Sequence, residues 1–166
     1  METDAATTSE PITVPLHVRQ PRSIDLARAI LALGDLSWLG RPTGGPPDRP
    51  QLRRVATVLD LPILDGSSTA PVQKAALIDV GPARRVDDRV LVEIAWRSAS
   101  FAPLFPVFAG QLSISATEIV LDGRYAPPLG TLGLLLDQAF LHLAARRTAG
   151  SVVTRLATEF RSWAPA

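Results

Sequence analysis

Gln138, His142 and Arg146 stand at i, i+4 and i+8 in a proline-free segment, 132–163, dominated by alanine, leucine and arginine. On an α-helix that spacing stacks the three side chains on one face. A histidine there can donate to or accept from a ligand oxygen near neutral pH, and an arginine can pair with a carboxylate. If the protein is an enzyme, His142 is the first candidate for its general acid or base. Arg146 or Tyr125 would then stabilise developing oxyanion charge. The other histidine, His17, shares the polar face of an alternating strand with Pro15 and Arg19, and is expected to face solvent.

Other chemistries lack their residues. The chain has no cysteine, which excludes disulfides, thiolate catalysis and cysteine-ligated metals. Two histidines cannot build a histidine-rich metal site. Asp87 and Asp88, beside Arg84, Arg85 and Arg89, read as a charged hairpin and not as a carboxylate metal cluster. No phosphate-binding G-x-x-x-x-G-K-[ST] loop occurs, and no glycine-rich run precedes Lys74. Gly130-Thr131-Leu132-Gly133 falls short of a dinucleotide fingerprint, and neither H-E-x-x-H nor G-x-S-x-G is present. No metal and no cofactor is implied.

The elements that position these residues follow from composition and periodicity. The 166 residues suit one domain, 12–166, behind a polar tail, 1–11, expected to be mobile. With 46% hydrophobic and 20% charged residues, the chain can bury a core and is not a disordered polymer. A net charge of +1 lacks the basic excess of a nucleic-acid binder. No stretch reaches the roughly 18 uncharged apolar residues that cross a bilayer. The N-terminus has neither the basic nor the apolar region of a signal peptide, so the cytosol is the expected compartment.

Ile12, Val14, Leu16 and Val18 alternate with polar residues and predict a strand, at a sheet edge because Pro15 cannot donate to a ladder. Ser23 is a candidate cap for a helix carrying Ile24, Ala27, Ile30 and Leu31 on one face and stopping at Gly34. Leu36, Trp38 and Leu39 suggest a second short helix, Trp38 being either its anchor or a lid element. Segment 41–50, with four prolines and two glycines, reads as a loop with conformational freedom, and Arg53-Arg54 as a surface charge pair. Strands follow near 52–61, 72–80, 89–98, 106–115 and 118–125, with turns at 65–68 and 81–84. Their close spacing makes them antiparallel. The terminal helix, about 45 Å long, starts after a Thr131 cap and contains Gly150. The order predicts a segregated α+β domain.

On the inner face of the sheet, Val90, Val92, Ile94 and Trp96 should be joined by Phe108, Gly110, Leu112 and Ile114, and by Ile119, Leu121, Gly123 and Tyr125. The missing side chains of Gly110 and Gly123 either leave room for a ligand or admit a bulge. On the helix, Ala149, Val152, Val153, Leu156, Phe160 and Trp163 form a stripe about 100° wide that continues onto Gln138, His142 and Arg146. Either the helix changes partner near Gly150 and those three face solvent, or they form the polar end of a pocket.

The runs Leu104-Phe105-Pro106-Val107-Phe108-Ala109-Gly110-Gln111-Leu112 and Gly123-Arg124-Tyr125-Ala126-Pro127-Pro128-Leu129-Gly130 carry a family likeness. They resemble the closing strands and the Y-x-P-P-x-G entry to the terminal helix in bacterial members of the START-like (SRPBCC) superfamily, which includes polyketide cyclases and lipid-transfer domains. The topological likeness spans 12–163 and the motif likeness 100–163, while loop 41–50 matches no family motif. The resemblance implies a helix-grip fold: a curved antiparallel sheet wrapped around a long C-terminal helix, with two short helices after the first strand. It also implies a hydrophobic ligand between sheet and helix. Trp96, Phe108, Leu112, Leu121 and Tyr125 would line that site from the sheet, and Gln138, His142 and Arg146 from the helix. Three functions remain open: binding of a hydrophobic small molecule or lipid, a polyketide cyclase or aromatase-type reaction using His142, and an interaction module with a filled core.

Overall fold

Period-two alternation of β-branched and polar residues produces a sheet with one oily face. In the computed structural model, residues 13–45, 49–61, 72–100, 107–127 and 138–162 are described. They form β1 (Val14–Pro21), α1 (Leu26–Gly34), β2 (Arg41–Thr43), β3 (Arg53–Leu61), β4 (Val72–Val80), β5 (Arg84–Val86), β6 (Arg89–Ser98), β7 (Val107–Ile114), β8 (Glu118–Ala126) and α2 (Gln138–Ser162). All strand pairings are antiparallel, in the order β1-β8-β7-β6-β4-β3-β2, with β5 added to β6. The architecture is the expected α+β helix grip. The expected tail, the turn at 65–68, the Thr131 cap, the first residues of the terminal helix and Trp163 lie outside the described residues.

Register turns the alternation into rows across the inner face. One row runs Val55, Ile78, Trp96, Phe108, Tyr125. The next is Val80, Ile94, Gly110, Gly123, Leu16, and the third is Val92, Leu112, Leu121, Val18. The apolar side chains of these rows and the buried α2 stripe Ala149, Val152, Val153, Leu156 and Phe160 form one core, with Val18 half-buried at its margin. Neighbouring helix residues show the sheet closing round α2. Thr154 hydrogen-bonds Gln20 on β1, at one edge, while Arg155 donates to the Val58 carbonyl on β3, near the other. Thr148, buried in mid-helix, donates to the Asp60 carbonyl at 3.2 Å and so leaves no orphan hydroxyl.

Several local expectations are corrected. Asp25, not Ser23, caps α1, accepting from the Ala27 and Arg28 N–H groups. The Arg22 and Ile24 N–H groups are held by the carbonyls of Thr117 and Ala116, which keeps residues 22–24 out of the helix. The second helix is a single turn, with the Leu39 and Gly40 N–H groups both reaching the Leu36 carbonyl. Trp38 anchors it by donating from Nε1 to the Ala32 carbonyl at 2.7 Å. Within 41–50, residues Arg41–Thr43 form the edge strand β2. Pro42 there, and Pro15 and Pro21 in β1, remove donors from the two edges.

Arg53 and Arg54 are not an idle surface pair. Arg53 donates to the carbonyls of Leu33 and Gly34 and so closes the C-terminus of α1. Arg54 makes a two-pronged bond to Asp79 directly across β3 and β4, at 2.6 and 2.9 Å. Replacing the cap, Asp25→Ala, is expected to lower unfolding free energy by about 1 kcal/mol, read from the urea midpoint at unchanged slope. An unchanged midpoint would show that the two capping bonds contribute nothing.

Candidate functional site

The interior of the grip divides into two ends. At one, the buried Ala29, Ala32 and Leu33 of α1, with Leu36 and Leu39 of the following turn, fill the space over the sheet. Between Val80, Val92, Ile94 and Leu112 below and Val152 and Leu156 above, the enclosed volume is about 10 Å³. That is the lower limit for a single water molecule. Leu112 and Leu121, both expected to touch a ligand, are cross-strand partners packed in the third row of this core.

The other end carries the row Trp96, Phe108, Tyr125 beneath the N-terminal half of α2. Trp96 and Phe108 are direct cross-strand neighbours, and their rings stack with centroids 4.0 Å apart and planes 18° from parallel. His142, half-buried on α2, sits beside Tyr125 with ring centroids 6.2 Å apart and a 41° tilt. Arg146, one turn on, is exposed, and Gln138 lies in the first turn of α2 with its side chain outside the described residues. The structure therefore brings together Trp96, Phe108, Tyr125 and His142. It places Leu112 and Leu121 deeper, and Arg146 outward.

The glycines of the second row act differently from either expectation. Gly110 and Gly123 face each other, and a Cβ built on one would lie 2.7 Å from the Cα of the other. The Phe108 ring occupies the space beside both, its Cζ 2.7 and 2.6 Å from the two hypothetical Cβ positions. The glycines thus allow close backbone approach and seat the aromatic row. They do not open a ligand chamber at that point.

Two polar groups of the row stand out. Tyr125 is 2% exposed, and burial pushes its phenol above the ordinary tyrosine range by penalising the phenolate. The Trp96 indole Nε1 is buried with no hydrogen-bond acceptor among the described residues. Neither was visible in the sequence, because both depend on register and on what lies above the sheet. The chain has a single tyrosine, so its phenolate absorbance reports Tyr125 alone. The expected midpoint lies above that of a free phenol. With the folded value raised, the stabilisation is fully present below the unfolded value near 10. It is lost as pH rises through the folded value. A titration at the free-phenol midpoint would contradict the burial.

Outside the grip, a groove of about 600 Å³ runs beside β2 between Leu36, Pro42, Leu52 and Val55. Its charged members Arg53, Arg54 and Asp35 are already engaged with α1, Asp79 and the Ser37 N–H, so it offers less unused chemistry than the aromatic end. Among the described residues, no three metal-ligating side chains gather, and no helix is long and apolar enough to cross a membrane.

No protein-family model and no curated protein matches the chain. Among solved structures, it is similar to DynU16, a protein of the dynemicin biosynthetic locus, at a TM-score of 0.38 and 16% identity over 89% of this chain. The match spans 47% of the DynU16 chain, about half its length.

Proposed function

We propose that the protein binds a hydrophobic small molecule or lipid between the sheet and the N-terminal half of α2. The observation that carries this reading is the contrast between the two ends of the grip. One is packed down to about 10 Å³. The other gathers three aromatic rings and a half-buried histidine on facing elements. Apolar walls with a few convergent polar groups are the usual composition of a small-molecule site. Apolar surface removed from water there would contribute about 25 cal/mol per Å² before the costs of association.

The test is native mass spectrometry of freshly purified protein, followed by calorimetric titration with the aromatic ketones indanone and fluorenone. Saturable binding of these ketones is expected, driven by the apolar surface they remove from water. No copurified molecule and no saturable binding would favour the interaction module with a filled core.

The adjacency of Tyr125 and His142 favours a second reading, a polyketide cyclase or aromatase-type reaction. A phenol whose ionisation is opposed by burial stays protonated and can donate to a developing oxyanion, while His142 exchanges the proton. Loss of turnover with retained binding in His142→Ala would support it. A variant that binds and turns over normally would remove it.

A further inference from the structure

We infer that the ligand of the aromatic end carries an uncharged carbonyl oxygen, and that the Trp96 indole N–H is the donor that selects it. The inference rests on the binding reading above and adds the chemical class of the bound group. Trp96 is 2% exposed, and its Nε1 has no acceptor among the described residues. A buried N–H without an acceptor is costly, so native proteins seldom keep one that no partner ever satisfies. Trp38 shows the ordinary outcome in the same chain, with Nε1 bonded to the Ala32 carbonyl.

The acceptor is neutral because its surroundings are. The row beneath α2 offers the Trp96 and Phe108 rings and a phenol held in its protonated form. The nearest fixed cation of the expected set, Arg146, is exposed. A carboxylate at the Trp96 indole would lose its hydration, and the one imidazole of the site, His142, stands beside Tyr125, two strands away across Phe108. A ketone or aldehyde oxygen needs only the one donor that the indole supplies. Tyr125 and His142, beside each other at the end of the same row, then face the remainder of the molecule.

Two pairs of shape-matched probes read this directly: indanone against indane, and fluorenone against fluorene. Without a donor, the hydrocarbon of each pair binds more tightly, because the ketone gives up its water. With Trp96 donating, the ketone is expected to bind at least as tightly as the hydrocarbon. Trp96→Phe should then shift the ketone-to-hydrocarbon affinity ratio about tenfold toward the hydrocarbon. Should that variant fail to fold, the unaltered chain gives the same answer by NMR. The Trp96 indole proton, assigned with Trp38→Phe and Trp163→Phe, should move downfield with the ketone and stay in place with the hydrocarbon. Binding of both probe types with an unshifted ratio, or an indole proton unmoved by a bound ketone, would overturn the carbonyl inference alone. Saturable binding by none of the four probes would overturn the binding reading with it.

Discussion

Gly110→Val is expected to prevent folding. A Cβ at this position would lie 2.7 Å from the Gly123 Cα and 2.7 Å from the Phe108 ring, and within hard-sphere distance of the Asp122 carbonyl oxygen. Two of the three obstacles are backbone of β8, which cannot retreat without breaking the β7–β8 ladder. Overpacking against movable side chains already costs about 1–3 kcal/mol. Here the β-branch adds two further methyl groups, and the cost should exceed about 4 kcal/mol, a large part of a typical domain's 5–15 kcal/mol. Far-ultraviolet circular dichroism and urea titration would measure it. Gly150→Ala is the matched control: nothing lies within 4 Å of its hypothetical Cβ, and the position is inside α2. Helix propensity predicts a gain of up to about 1 kcal/mol there. A Gly110→Val protein with the wild-type midpoint would show that the approach of β7 to β8 does not need a bare backbone at this position.

Phe108→Ala is expected to cost about 3–5 kcal/mol, the range for emptying a buried aromatic site. Phe108 is among the largest fully buried side chains and touches both halves of the local design. Its ring stacks on Trp96 and fills the space beside the two glycines. Neighbours on the sheet cannot collapse into the void, because two of them have no side chain to rotate. The stack adds about 0.5–1.5 kcal/mol beyond area burial. Phe108→Leu keeps most of the volume and should cost roughly 1–1.5 kcal/mol. The difference between the two variants in unfolding free energy checks the assignment. A Phe108→Ala loss below about 1 kcal/mol would mean that the ring is not the keystone of the row.

The strands were legible where one face is buried over many residues. Val90, Val92, Ile94 and Trp96 alternate cleanly because solvent and core impose opposite demands on successive positions, and all four are buried. The three-residue strands β2 and β5 were not legible, since Arg41–Thr43 and Arg84–Val86 are wholly exposed and carry no periodic signal. Sequence does not separate Asp25 from Ser23, because both are good capping types and the bonds that exclude Ser23 come from the distant Ala116 and Thr117. Arg54 reads as surface in the sequence because its partner Asp79 is on another strand, and only 15% and 16% of the two side chains are exposed. At the candidate site, the sequence placed Trp96, Phe108 and Tyr125 on one face. It did not place His142 beside Tyr125, because that neighbour depends on how α2 crosses the sheet.

The pairing of two glycines under one phenylalanine couples three positions into a single unit of inheritance. A larger residue at Gly110 or Gly123 meets backbone and the Phe108 ring at once, and a smaller residue at Phe108 leaves a hollow that neither glycine can fill. None of the three can drift while the others stay fixed. In descendants of this chain, they should therefore be retained together or exchanged together, whatever happens to the molecule held above them.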